Sequence, residues 1–304
     1  MEEKVIVVQN LTRDYGEGRG IFDLTFDIKK GETFGFVGTN GSGKTTTIRH
    51  IMGFLKAKSG SVKVLGLDAW HDSCEIKKYV EYIPGEIAFP DLPDGVQFLK
   101  SQAELLGLKD MDKADYLIKR LQLDPTANLK RMSKGMKQKT AIVAALMANK
   151  DILILDEPST GLDPLMRETF LELVLEEKKA DKTILMSSQM FDELELTCDR
   201  VALIFNGKIV DIADINALKN SNIKYYKIEF TNSLDFNKFK KSKYEITRIQ
   251  EKYNQVTIKI KDEDVNSLFK YLKKFDLKFI SEVKYNLEKY FKDILAKYKE
   301  EKDV

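Results

Sequence analysis

Cysteine and histidine are scarce in this 304-residue chain, which has two of each. Cys74 and Cys198 stand far apart with no C-x-x-C spacing, which argues against a disulfide framework or a cysteine zinc site and fits a reducing compartment. His50 and His71 form no metal-ligand cluster and read as structural or solvated. Neither sign of charge is in excess: 50 basic residues face 48 acidic ones. That balance argues against a dedicated nucleic-acid binder. No run approaches the roughly 18 apolar residues of a membrane span. The longest, Ala141 to Ala148, reads as a buried helix, so membrane association is expected only through a partner. Met1-Glu2-Glu3-Lys4 begins acidic and leads straight into a strand, unlike a signal peptide. The length allows one substantial α/β domain plus a smaller second one.

What is present starts with Gly38-Thr39-Asn40-Gly41-Ser42-Gly43-Lys44-Thr45, a full match to G-x-x-x-x-G-K-[ST]. The apolar run Thr33 to Val37 before it predicts a buried strand, and Lys44 to Met52 after it predicts a helix. Glycines 38, 41 and 43 free the backbone to turn its N–H groups around an anion. Lys44 brings a mobile charge to the β- and γ-phosphates, Thr45 offers a hydroxyl to Mg²⁺, and the helix start adds to the cradle. A second strand, Ile152 to Leu155, ends in Asp156-Glu157-Pro158, at the strand edge where parallel sheets bind ligands. Asp156 suits Mg²⁺, and Glu157 suits polarising a water that attacks phosphorus. Standing alone, the two acids would read equally as a solvated strand end.

Some twenty residues before that strand lies Met132-Ser133-Lys134-Gly135-Met136-Lys137-Gln138. Taken with the phosphate loop and the two carboxylates, this run gives the chain its resemblance to the nucleotide-binding subunits of ATP-binding cassette (ABC) transporters. The likeness runs from Tyr15 to about Gln189, with similar flanking sequence to about residue 218. It implies a P-loop NTPase cassette of α/β class with an inserted helical subdomain, near 88–150, and a 1–218 ATPase domain. It also implies that Tyr15 stacks on adenine and that Asn40, Gly41, Ser42, Gly43 and Thr46 surround the phosphates with Gly38, Lys44 and Thr45. Ser133, Gly135 and Met136 stand at the signature motif, usually L-S-G-G-Q, and would touch ATP held by a second copy. Asp163, in Ser159-Thr160-Gly161-Leu162-Asp163, would communicate between the two ATP sites; locally it reads as a turn opening a helix at Pro164. The implied partners are a second ATPase subunit and an integral membrane permease, with the chain cytoplasmic and peripheral on the inner face of the membrane.

Two positions depart from the family pattern. After a strand at Tyr79 to Ile83, glycine (Gly85) stands where a Mg²⁺-contacting glutamine is usual. Glu86 beside it is either a substitute oxygen ligand or a solvated acid. After Thr183 to Met186, Ser187-Ser188-Gln189 puts glutamine where histidine is usual. Gln189 can hydrogen-bond a γ-phosphate but cannot exchange protons near neutral pH. Retained nucleotide sensing with lowered turnover is expected.

Between Pro90 and Lys150 the pattern is helical: Val96, Leu99, Ala103 and Leu106 mark one helix and Tyr116, Leu117 and Leu121 a second. The first strand is read over Lys4 to Leu11, with Tyr15 beyond it. From 219 to 304 the order βαββαβ predicts a small α+β, ferredoxin-like domain, with strands at 224–230, 244–249, 255–260 and 277–283 and helices at 233–241 and around 265–275. A final helix places Leu287, Phe291, Ile294, Leu295 and Tyr298 on one face. This tail has about seven more basic than acidic residues. It reads as a solvated lysine-rich surface, or as a membrane-surface or regulatory contact.

The leading expectation is an ATPase subunit that closes head to tail with a second copy on Mg-ATP and drives a separate permease. Export is favoured because the signature form, Gly161-Leu162-Asp163-Pro164 and Asn286-Leu287-Glu288-Lys289-Tyr290-Phe291 resemble drug, antibiotic or peptide exporters. The alternatives are a soluble ABC ATPase and a slowly hydrolysing nucleotide switch. Only about ninety residues separate Thr45 from Ser133, with no sustained heptads, against the long coiled coil of chromosome-maintenance relatives.

Overall fold

The structure is a computed structural model describing residues 3–220 and 222–300. The expectations that touch Met1, Glu2, Ser221 and 301–304 lie outside those residues. Among the described residues two compact units are present: 3–215 together with 294–300, and 216–220 with 222–293. The division falls at 215/216 instead of 218/219. Residues from 294 group with the first unit because the Tyr298 ring meets Phe205 edge-on at 6.5 Å and the Lys299 ammonium lies 5.5 Å over the same ring.

The first unit opens with β1 (Lys4–Gly16), β2 (Arg19–Lys29), β3 (Thr33–Val37) and α1 (Lys44–Ile51), then β4 (Ser59–Val64), β5 (Leu67–Asp68), α2 (Ser73–Ile76) and β6 (Val80–Ile83). A helical stretch follows, α3 (Gly95–Leu106), α4 (Asp112–Arg120) and α5 (Lys134–Met147). The unit closes with β7 (Ile152–Asp156), α6 (Pro164–Lys179), β8 (Thr183–Ser188), α7 (Phe191–Thr197), β9 (Arg200–Phe205) and β10 (Lys208–Asp214), before α8 (Ile215–Lys219).

One sheet runs β10-β9-β3-β8-β7-β6. Its pairs from β9 to β6 are parallel, and β10 is an antiparallel edge. Every residue of β3, β7 and β8 is buried, which explains their unbroken apolar runs. Register decides the function of this sheet. Val37 pairs with Ser188, Asp156 with Ser187 and Leu155 with Ile83. The chain therefore leaves β3, β8, β7 and β6 along one edge, carrying the phosphate loop, Gln189, Glu157 and Gly85-Glu86 out side by side.

A second sheet, β2-β1-β4-β5, is antiparallel. Its apolar face packs with α1 and the first sheet in a core that includes Phe26, Phe34 and Phe36, whose ring centroids are 5.1–5.6 Å apart. β1 runs on past Leu11 to Gly16, so Tyr15 lies within the strand and not beyond it. Glu17 and Gly18, both with positive φ, form the two-residue turn that lets Gly16 pair with Arg19 and lengthens the hairpin.

In the helical stretch, Asp94 caps α3 by accepting from the Gln97 N–H at 2.9 Å, and Gly107 ends it in the left-handed region. Leu99, Ala103, Leu117 and Leu121 are buried, but Tyr116 is exposed. Its hydroxyl reaches Glu176 of α6 and its ring lies under Arg120, so the polar tip overrides the apolar stripe. The strand expected from Tyr79 starts at Val80, because the Tyr79 N–H closes a turn onto the Ile76 carbonyl.

The second unit contains β11 (Ile223–Phe230), α9 (Ser233–Phe239), β12 (Glu245–Gln250), β13 (Gln255–Lys261), α10 (Val265–Leu272) and β14 (Leu277–Val283), and α11 (Leu287–Glu300) begins in it. Its sheet order is β12-β13-β11-β14 with every pair antiparallel, the βαββαβ pattern expected. The core is aromatic, with Phe230, Phe236, Phe239 and Phe275 packed on Ile228, Val256 and Ile258.

Candidate functional site

The edge of the parallel sheet opens into a cavity of about 650 Å³. The phosphate loop lines it through Asn40, Gly41, Ser42, Gly43, Lys44, Thr45 and Thr46, together with Asp156, Glu157, Gln189, Gly85 and Glu86. Tyr15 and Arg19 lie at the rim, the Tyr15 ring half exposed and lying under the Arg13 guanidinium at 5.4 Å. The sequence expectation thus comes together in one place, apart from Gly38, Ser133, Gly135, Met136 and Asp163. The carbonyl of Gly38 still takes part, by holding Lys44.

The loop's shape follows from its glycines. Gly41 and Gly43 have φ of +78° and +115°. A Cβ on Gly38 would stand 2.4 Å from the Ile204 carbonyl and 2.5 Å from Ser42 Oγ, so no side chain fits there. Gly43 caps α1 without a side-chain acceptor. The first N–H groups of the helix are therefore available to an anion.

Lys44 is 4 % exposed. Its ammonium donates to the Gly38 carbonyl at 2.7 Å and the Thr39 carbonyl at 3.2 Å, and it pairs with Glu157 Oε1 at 3.1 Å. The other Glu157 oxygen accepts from Gln189 Nε2 at 2.9 Å. Glu157 sits at φ +51°, a left-handed conformation that a non-glycine residue adopts at a cost and that clusters at functional sites. Its N–H is fixed by the carbonyl and hydroxyl of Ser187. Gln189, expected to face a γ-phosphate, here holds the neighbouring carboxylate.

Asp156 is fully buried. Its Oδ1 accepts from Ser187 Oγ at 2.6 Å, and its Oδ2 has no hydrogen-bond partner. A buried carboxylate oxygen without a partner, on a residue that lines the same cleft as Thr45, fits a hard cation that prefers oxygen ligands. Gly85 lies against Asp156: a Cβ there would meet Asp156 Oδ2 at 3.5 Å, an ordinary contact, so a side chain would fit at this position. Tyr82, also on the cleft wall, has its phenol pushed up to about 12 by burial and by the nearby Asp156. It therefore remains a proton donor.

The signature segment sits one step away. Ser133 caps α5, its Oγ accepting from the Met136 N–H at 3.2 Å. Gly135 packs against the Gly161 carbonyl, which a Cβ would approach to 2.8 Å. Only Lys134 of this segment lines the cleft. Asp163 caps α6 by accepting from the Met166 N–H, with Pro164 in the first turn. Gln138 carries no task that its place in the signature motif makes evident. Its buried amide donates to the Pro158 carbonyl at 2.7 Å, tying the start of α5 to the chain just past Glu157. Arg49 and Tyr82 also line the cleft, and their only sequence signal is their register on α1 and β6.

The ABC transporter family model matches residues 21–160. An ABC transporter ATP-binding protein of Methanocaldococcus jannaschii, itself uncharacterised, is 33% identical over 215 residues, covering 69% of this chain and 78% of that one. The chain belongs to the ABC transporter ATP-binding proteins. The ABC subunit is also 31% identical over 233 residues to the bacitracin transport ATP-binding protein BcrA of Bacillus licheniformis, covering 75% of each. It is 32% identical to the linearmycin resistance ATP-binding protein LnrL of Bacillus subtilis over 68% of each. A solved ATP-binding subunit of an ABC transporter superposes with a TM-score of 0.64 at 28% identity, over 71% of this chain and 92% of that one. As an ABC ATPase it binds and hydrolyses ATP, and subunits of this family pair with membrane permease components. Among its described residues no helix is long and apolar enough to cross a membrane.

Proposed function

We infer that this ABC subunit supplies the energy for an exporter of a drug, antibiotic or peptide, acting as a head-to-tail pair on the cytoplasmic face of a membrane-embedded permease. The bacitracin and linearmycin relatives support the direction and cargo class. The observation that carries the catalytic reading is the convergence of Lys44, Asp156, Glu157 and Gln189 in one cleft. In the proposed site Tyr15 stacks on adenine, and the backbone of Gly38 to Thr46 cradles the phosphates. The Thr45 hydroxyl and Asp156 Oδ2 would hold Mg²⁺, with Glu86 as a further oxygen on the Gly85 side. The bound Mg²⁺ supplies charge neutralisation at the β- and γ-phosphates.

The chain's own residues do the rest. Lys44 exchanges its two loop carbonyls and Glu157 for phosphate oxygens. That frees Glu157 Oε1 to take a proton from water while Gln189 keeps hold of Oε2. The water oxygen attacks in line, the bond to the β-phosphate oxygen breaks, and ADP and phosphate leave. Ser133, Gly135 and Met136 complete the site of the second copy, the α5 N-terminus facing its γ-phosphate. A slowly hydrolysing switch is the second reading, favoured by the Lys44–Glu157 pair, which must open before either group can work.

Lys44→Ala is expected to abolish ATP turnover. Isolation of the chain from membranes should bring a spanning partner with it. Recovery only in ribosomal fractions would overturn the transporter assignment.

A further inference from the structure

A buried carboxylate lies behind the catalytic corner and outside the cleft. Glu193 of α7 is 2 % exposed. Its Oε2 accepts from Ser188 Oγ at 2.7 Å. The same Ser188 Oγ accepts from the Met190 N–H at 2.9 Å. One hydroxyl, held by one acid, thus pins the backbone on both sides of Gln189. The other Glu193 oxygen faces the Arg167 guanidinium of α6 at 3.4 Å, an ion pair that lacks a hydrogen bond's alignment. Thr197 Oγ1 donates to the Glu193 carbonyl at 2.8 Å, fixing the helix turn that presents the acid.

A carboxylate this deeply buried is costly unless its contacts repay the lost hydration. A serine hydroxyl and a misaligned guanidinium are meagre compensation, and at functional sites such costs accompany precise placement. The contacts also form a continuous line: Glu193 to Ser188, the 188–190 turn, Gln189, then Glu157 Oε2 at 2.9 Å. We propose that Glu193 is a positioning residue for hydrolysis, acting through Ser188 to set the rotamer of Gln189 and so the direction in which Glu157 points. The proposal rests on the reading of Glu157 as the group that activates water.

The geometry makes the effect specific. Loosening the turn lets the Gln189 amide swing away from Glu157 Oε2, while no atom of Glu193 or Ser188 lines the nucleotide cleft. Turnover should fall with little change in ATP affinity, since a small misplacement of a catalytic group costs rate steeply.

The experiment measures steady-state ATPase kinetics and fluorescent-ATP binding on the purified full chain carrying Glu193→Ala, Glu193→Gln, Ser188→Ala, Gln189→Ala and the Glu193→Ala/Gln189→Ala pair. Glu193→Ala and Ser188→Ala should each lower kcat about tenfold with ATP affinity held within about twofold. Glu193→Gln, which keeps an acceptor for Ser188, should recover most of the rate. The double variant should be no slower than Gln189→Ala alone, because both act through one amide. Additive losses in the double variant, or an equal fall in ATP affinity, would overturn the proposal. If Glu193→Ala does not fold, Ser188→Ala removes the same hydrogen bond from the other side, and a full rate there is equally fatal. A Glu157→Gln control separates the two levels: a fast Glu157→Gln enzyme sinks the reading of Glu157, whereas a dead one with additive Glu193 and Gln189 effects sinks only the relay.

Discussion

The two units bury different chemistry. Among the described residues, 216–293 buries only two polar side chains, Glu229 and Gln255, and these satisfy each other through a 2.6 Å hydrogen bond. The rest of its core is rings and branched aliphatics. The 1–215 unit buries Ser42, Lys44 and Asp156 at the cleft, and Ser187, Ser188 and Glu193 outside its lining. Ser42 Oγ, Asp156 Oδ2 and one Glu193 oxygen have no hydrogen-bond partner. Each such atom costs stability. Thr33 Oγ1 and His50 Nε2 of the first unit and Ser242 Oγ of the second are also unpartnered and do not line the cleft, so the contrast is one of degree: the first unit places part of its unfavourable burial at the cleft, and the second is held mainly by apolar packing.

That contrast is breakable. The largest effect is expected in the second unit: Phe239→Ala removes a fully buried ring that touches Phe230, Tyr244, Tyr271 and Phe275. It should cost about 3–5 kcal/mol. Chemical denaturation should show the loss, with ATP turnover per folded molecule unchanged; lost turnover in folded protein would end the separation of roles. A smaller effect is expected from Ser187→Ala, which strips Asp156 Oδ1 of its only hydroxyl donor. About 1–3 kcal/mol of stability should go, and the Mg²⁺ concentration for half-maximal ATPase should shift.

The smallest effect concerns His50, fully buried on α1, with Nδ1 bonded to the Thr46 carbonyl at 2.8 Å. Its pKa is lowered, chiefly by burial, with Arg13 adding to the shift and the Thr46 bond opposing it. The unfolded chain therefore takes up the proton first as pH falls below the ordinary value of 6.5. Stability should be full above that pH and decline below it, toward the folded-state pKa. Urea midpoints of the wild type and His50→Phe compared at neutral and mildly acidic pH should show a flatter profile in the variant.

The cleft was legible where the chain runs through it in sequence order. The phosphate loop must be glycines, a lysine and a hydroxyl at fixed spacing, because its backbone makes the shape. The pairing of Asp156-Glu157 with Gln189 was legible only through the family pattern, and the hydrogen bond between them depends on strand register that no local spacing expresses. Tyr15 was placed past its strand because the two positive-φ residues at 17 and 18, which extend the hairpin, include a glutamate that does not look like a turn residue. Tyr116 marks the helical spacing of α4, but its exposure follows from a partner, Glu176, that lies sixty residues on. The second unit was legible from alternation and periodicity alone, since its core makes no demand beyond apolarity. Glu193 gave no signal at all. An acid in a first helical turn is ordinary, and only its burial singles it out.

The proposed catalysis turns on Glu157 activating the attacking water once Lys44 has moved to phosphate. Single-turnover hydrolysis of pre-bound ATP by Glu157→Gln tests it most directly, because glutamine keeps the shape and the bond to Gln189 but cannot take a proton. ATP should bind with near wild-type affinity and be cleaved at least about a hundredfold more slowly. Cleavage at the wild-type rate would contradict it.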